Sequence, residues 1–134
     1  MRTHVEFSSG HFPAYPDEAD QINPGRFGRR LAEFVGAGLS QRGWRVHDIG
    51  AEDWGWRVEL EHAAFALWIG CGNYDDFDDG FLCFIEPSKP LVRRWLRRID
   101  TTAAVEKLAG DLADTLERSG KASRLRWWAE GEAR

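Results

Sequence analysis

Cysteine is scarce in this 134-residue chain, with Cys71 and Cys83 the only two. Two are too few for a disulfide framework, and in a reducing compartment they read as small buried hydrophobes. No stretch approaches the roughly 20 apolar residues that a membrane helix needs. The opening run Met1-Arg2-Thr3-His4-Val5-Glu6-Phe7 has no apolar signal core, which points to a cytoplasmic protein with no membrane partner. Lysine is confined to Lys89, Lys107 and Lys121 while arginine is plentiful, a bias that reflects the coding genome more than a function. Catalytic signatures are missing too. His4, His11, His47 and His62 fall on separate segments, without a zinc-protease helix motif, a Cys–His spacing or a nucleophile-elbow serine. Gly70-Cys71-Gly72-Asn73 follows a strand pattern and opens no helix, so it is no phosphate loop. The chain therefore offers no catalytic residue, no metal-ligand set and no cofactor fingerprint.

The length suits a single domain over residues 1–134, large enough to bury a core without a metal or disulfide. The net charge of −4 favours solubility and disfavours broad nucleic-acid binding. Seven tryptophans are an unusual investment for so short a chain.

Residues 3–7 alternate as a short strand, and a loop punctuated by Pro13 and Pro16 follows. Asn23-Pro24 is predicted to open a helix whose apolar face is Phe27, Leu31, Phe34, Val35 and Leu39, with Gly43 as its C-terminal cap. Gly28, Gly36 and Gly38 permit close packing of that helix. Strands are expected around Trp44 to Gly50, Trp56 to Glu61, Ala64 to Cys71 and Phe81 to Ile85. A turn at His62-Ala63 pairs Leu60 with Phe65, Val58 with Leu67 and Trp56 with Ile69. A loop centred on Asp76 places Cys83 opposite Ile69 on the core side, with Trp68, Leu82 and Phe84 on the other. Leu91 to Ile99 reads as a short helix that would carry Arg93, Arg94, Arg97 and Arg98 on one side. A second long helix spans about Thr102 to Arg118 through Val105, Leu108, Leu112 and Leu116. Arg124 to Trp128 reads as a final strand with Leu125 and Trp127 inward. The order β-α-β-β-β-β-α-β makes an α+β fold. It is a mostly antiparallel sheet of five to six strands with two main helices on one face.

Glu52-Asp53-Trp54-Gly55-Trp56 is the most conspicuous string, where the chain enters the first long strand. Gly55 permits a turn or bulge, and Trp56 belongs to the core. That leaves Asp53 and Trp54 as candidate binding residues. Together with Asn23-Pro24-Gly25, Gly28, Leu31-Ala32 and Leu67-Trp68-Ile69-Gly70-Cys71-Gly72-Asn73, this string resembles a family of small bacterial proteins. The resemblance covers residues 5 to 100. No activity is established for that family, so it implies the fold and assigns no catalytic residue.

Asp75, Asp76, Asp78 and Asp79 crowd one hairpin loop, but their spacing fits a calcium loop poorly, because Phe77 stands where an oxygen ligand is needed. Tyr74 and Phe77 are candidate anchors for a partner there.

The function expected is a non-enzymatic protein-binding module, of adaptor, immunity or inhibitor type, using the aromatic face of Trp68, Leu82 and Phe84. Two other readings stand beside it. One is a small-ligand binder or enzyme built on carboxylates near Asp53 and Trp54. The other is a nucleic-acid binder using Arg93 to Arg98. An exposed edge strand near Arg124 to Trp128 would allow a homodimer.

Overall fold

Apolar residues at every second position need a single cover, and two helices supply it. A computed structural model describes residues 1–74 and 79–132. The elements are β1 (His4–Ser8), α1 (Arg29–Gln41), β2 (Val46–Glu52), β3 (Gly55–Leu60), β4 (Leu67–Asn73) and β5 (Gly80–Glu86). They are followed by β6 (Leu91–Arg94), β7 (Arg97–Asp100), α2 (Thr102–Glu117) and β8 (Ser123–Trp128). Six strands form an antiparallel sheet in the order β2-β3-β4-β5-β1-β8, and β6 and β7 form a separate two-stranded sheet. This is the α+β architecture expected.

One sheet face is core. Val5 and Phe7 of β1, Val58 and Leu60 of β3, Leu67, Ile69 and Cys71 of β4, and Phe81, Cys83 and Ile85 of β5 are all buried. Leu31, Val35 and Leu39 of α1 and Val105, Leu108, Leu112 and Leu116 of α2 close over them. Truncating any one of these leucines to alanine would cost about 2–5 kcal/mol. The helices approach closely at Gly38, where an added Cβ would stand 2.3 Å from Thr115 Cγ2. Gly43, at a φ of 93°, ends α1 as expected.

Four expectations are corrected. First, α1 opens at Arg29, not at Asn23-Pro24. Phe27 cannot be helical, because its N–H donates to Asn73 Oδ1 (3.0 Å) and its carbonyl accepts from Asn73 N (2.8 Å). Asn23 instead closes a turn with Arg26 N–H. The first amides of the helix are capped from elsewhere: Gly28 N–H (2.9 Å) and Arg29 N–H (3.2 Å) both donate to Glu18 Oε2.

Second, both hairpin registers lie two residues from those expected. Val58 pairs with Ile69, Leu60 with Leu67, and Cys71 with Cys83. A two-residue shift keeps every side chain on its face, so the division into faces stands.

Third, Glu52 to Trp56 is the tip of a tight β2–β3 hairpin. Glu52 pairs with Gly55, and Asp53-Trp54 is the two-residue turn. Gly55 is required by proximity: a Cβ there would meet the Cys71 carbonyl oxygen at 2.4 Å.

Fourth, residues 91–100 form a β-hairpin and no helix. Val92 pairs with Ile99, and both pack against the core. Thr101 closes its base, with N–H to the Pro90 carbonyl (2.9 Å) and Oγ1 to the Lys89 carbonyl (2.5 Å). Arg93 faces Arg98 and Arg94 faces Arg97 across the strands, so the arginines lie on both faces and not on one.

Candidate functional site

Positions of the large sheet that point away from the helices carry the candidate site. They alternate with the core residues, as the intermediate and buried positions of β5 and β1 show. Across the middle of this outer face, strand pairing aligns Arg57, Gly70, Phe84, His4 and Trp128 in one row. Gly70 is the key to the arrangement. A Cβ at this position would stand 2.3 Å from Phe84 Cζ and 2.8 Å from Trp54 Cη2, so the missing side chain is the floor on which two rings lie.

Trp54 folds back from the β2–β3 turn over that floor. Its ring lies 5.1 Å from Phe84 and 6.2 Å from Trp68, and Trp68 meets Phe84 edge-on at 5.7 Å. These centroid separations are those of mutually attractive aromatic pairs. Phe84 continues into His4 (5.7 Å), His4 into Trp128 (5.7 Å), and Trp128 into Tyr74 (6.3 Å). The rings of Trp54, Trp68, Phe84 and Tyr74 remain half-buried, as does Leu82. Burial among these rings pushes the His4 imidazole below its ordinary value, and Glu130 opposes the shift. Glu86, at the end of β5, is pushed up by burial and by the neighbouring charge of Glu130.

Charged side chains rim the aromatic row. Arg57 contacts Glu52 (3.3 Å) and Glu59 (3.8 Å) and lies 5.9 Å from the Trp68 ring. Arg126 pairs with Glu6 (2.7 Å). A hollow of about 240 Å³ opens beside Trp54, lined by Arg26, Asn73, Tyr74, Leu82 and Phe84.

Of the candidate residues, Trp54, Trp68, Leu82, Phe84 and Tyr74 share this one face. Asp53 is exposed at the turn and does not join them. Phe77 lies outside the described residues, as do Asp75, Asp76 and Asp78 of the acidic loop. Sequence reading missed His4, Trp128 and Gly70. The first two lie at opposite ends of the chain, and Gly70 gives no signal until Phe84 and Trp54 are placed over it.

The chemical potential of the other features is small. Cys71 and Cys83 sit on the core side with sulfurs 3.8 Å apart, and burial pushes the Cys71 thiol well up, which keeps it unreactive. A hollow of about 930 Å³ lies near the β3–β4 turn and includes His47, Glu59, Glu61, His62, Arg93 and Arg94. Several of its polar groups are engaged: Glu61 with Arg45 (3.6 Å), Glu59 with Arg57, and His62 Nδ1 with the Ala64 amide (3.3 Å). Among the described residues, no three His, Cys, Asp or Glu side chains group to hold a metal ion. No described helix is long and apolar enough to cross a membrane. No protein-family model, no curated protein and no solved structure matches this chain.

Proposed function

We propose that this protein is a non-enzymatic protein-binding module of the cytoplasm, of adaptor, immunity or inhibitor type, that docks its partner on the outer sheet face. The observation that carries this reading is the ring cluster over Gly70. Trp54, Trp68 and Phe84 are pre-packed by one another yet half-exposed, with Arg57, Glu59, Glu6 and Arg126 around them. Rigid aromatic anchors lose little side-chain freedom on docking, and a charged rim selects among partners. Catalysis has less support, because Glu52 and Glu59 near Trp54 are drawn into pairs with Arg57, and the hydroxyl beside the His4 imidazole, Thr3 Oγ1 (3.0 Å), is fully buried.

Affinity capture from the native host tests the reading, with wild type compared with a Trp68→Ala/Phe84→Ala variant whose fold is checked by circular dichroism. A partner retained by wild type and lost by the folded variant is the expected result. An identical set of captured proteins for both would remove the outer face from consideration.

A further inference from the structure

The β6–β7 hairpin breaks three local rules at once. Its two-residue turn, Trp95-Leu96, is its apolar apex, and both side chains stand in solvent, 93% and 102% exposed. Trp95 adopts a φ of 59°, a turn position that glycine fills most easily. Behind the apex, Arg94 faces Arg97 and Arg93 faces Arg98, like charges directly opposite each other across the strands. Among the described residues none of these arginines makes an ion pair. Arg94 reaches only the Ala63 and Ala64 carbonyls (3.2 Å each), and the acid of the hairpin, Asp100, accepts the Thr102 amide instead (2.8 Å). Nothing among the described residues offsets the exposed Trp95 and Leu96, the turn strain or the repulsion.

An anionic, partly apolar surface offsets all three. We propose that this hairpin is a membrane-surface anchor. Trp95 and Leu96 enter the boundary between headgroups and acyl chains of an anionic bilayer, and Arg93, Arg94, Arg97 and Arg98 bind the lipid phosphates. The order of groups along the hairpin fits that occupant. Four residue pairs carry the apex roughly 13 Å beyond the base, more than the roughly 5–8 Å depth of a headgroup layer. Indole favours that layer, and arginine just behind it is drawn to anionic lipid. Nucleic acid fits less well. Leu96 has no ring to stack on a base, and a duplex offers no apolar layer for Trp95 and Leu96 to enter together.

Flotation of the full chain tests this, using vesicles of phosphatidylcholine alone and of an equal mixture with phosphatidylglycerol. Wild type should float with the anionic vesicles, remain below with the neutral ones, and be released at high salt. Trp95→Gly suits the turn and should leave the melting temperature unchanged while weakening anionic-vesicle binding about tenfold or more. An Arg97→Gln/Arg98→Gln variant should bind about thirtyfold more weakly. No flotation with anionic vesicles overturns the proposal, as does equal flotation of Trp95→Gly. Retardation of a short duplex DNA without vesicle binding also overturns it, assigning the arginines to nucleic acid. The outer-face variant Trp68→Ala/Phe84→Ala separates the two sites. It should float as wild type does, and its loss of flotation while folded would move lipid binding off the hairpin.

Discussion

Glu18 is 1% exposed, and every hydrogen bond it makes with its side chain accepts from a donor. Oε1 takes the Tyr15 amide (2.8 Å), and Oε2 takes the Gly28 amide, the Arg29 amide and the Trp56 indole N–H (3.0 Å). One carboxylate thus caps α1, holds the loop before it and ties both to β3. Glu18→Ala leaves those donors without acceptors in a water-poor site. The expected cost is about 3–5 kcal/mol, a large share of the stability of a small domain. Glu18→Gln keeps one oxygen but turns an N–H toward a donor, so its cost should fall between wild type and alanine. Urea denaturation with an unchanged m-value checks the order. An alanine variant as stable as wild type would show that water or a neighbouring group replaces the carboxylate. Nothing in the sequence distinguishes Glu18 from Asp17 or Asp20, because its partners lie 3 to 38 residues away and leave no periodic trace.

At the scale of elements, two aspartates of α2 staple it to the end of α1 and the strand beyond. Arg42 reaches Asp114 through Nε (2.9 Å) and Nη2 (2.8 Å), and the Trp44 indole N–H donates to Asp111 Oδ2 (2.7 Å). The Arg42 hydrogen bond holds the Asp114 carboxyl below its ordinary 3.8. For Asp111, burial pushes upward, but hydrogen bonds from Lys107 and Trp44 outweigh it, and the carboxyl is also lowered. Folded values below the unfolded ones give stability that is fully present above the unfolded value and lost as pH falls through the folded one. The double variant Asp111→Asn/Asp114→Asn should therefore lose stability at pH 7 and differ less from wild type by about pH 2. Chemical denaturation at both pH values checks this, and a constant difference would mean that packing, not charge, holds the helices. The two helices themselves are well marked in the sequence, since Leu31, Val35 and Leu39, and Val105, Leu108, Leu112 and Leu116, recur at helical spacing. Residues 91–100 are not. Leu91, Trp95 and Ile99 fit a helical stripe by number, but Val92 and Ile99 pair across a hairpin and pack half-buried against the core, while Trp95 and Leu96 stand exposed.

For the whole molecule, the decisive connection is the N-terminal strand. β1 lies between β5 and β8, so the first and last strands of the chain are hydrogen-bonded neighbours. Val5 pairs with both Cys83 and Trp127, and Leu125 and Trp127 pack against the core. Ending the chain after Ala122 would turn β1 into a bare edge and uncover the side of the core that Leu125 and Trp127 close. The expected outcome is loss of the cooperative thermal transition and aggregation on size-exclusion chromatography. A truncated chain melting within a few degrees of wild type would mean that β8 is an ornament of the fold.

The sequence by itself determined which residues face inward. Period-two alternation and 3.6-residue spacing are local properties, so the core face of each main strand and helix was legible, as was the aromatic face of Trp68, Leu82 and Phe84. Register was not, because a slip of two residues preserves every face and the apolar pattern cannot detect it. Tertiary structure alone decided the strand order, the cap supplied by Glu18, and the exposed hairpin of Trp95 and Leu96. It also decided the folding of Trp54 over Gly70. Each of these depends on contacts between distant parts of the chain, whose energies appear only when the elements meet.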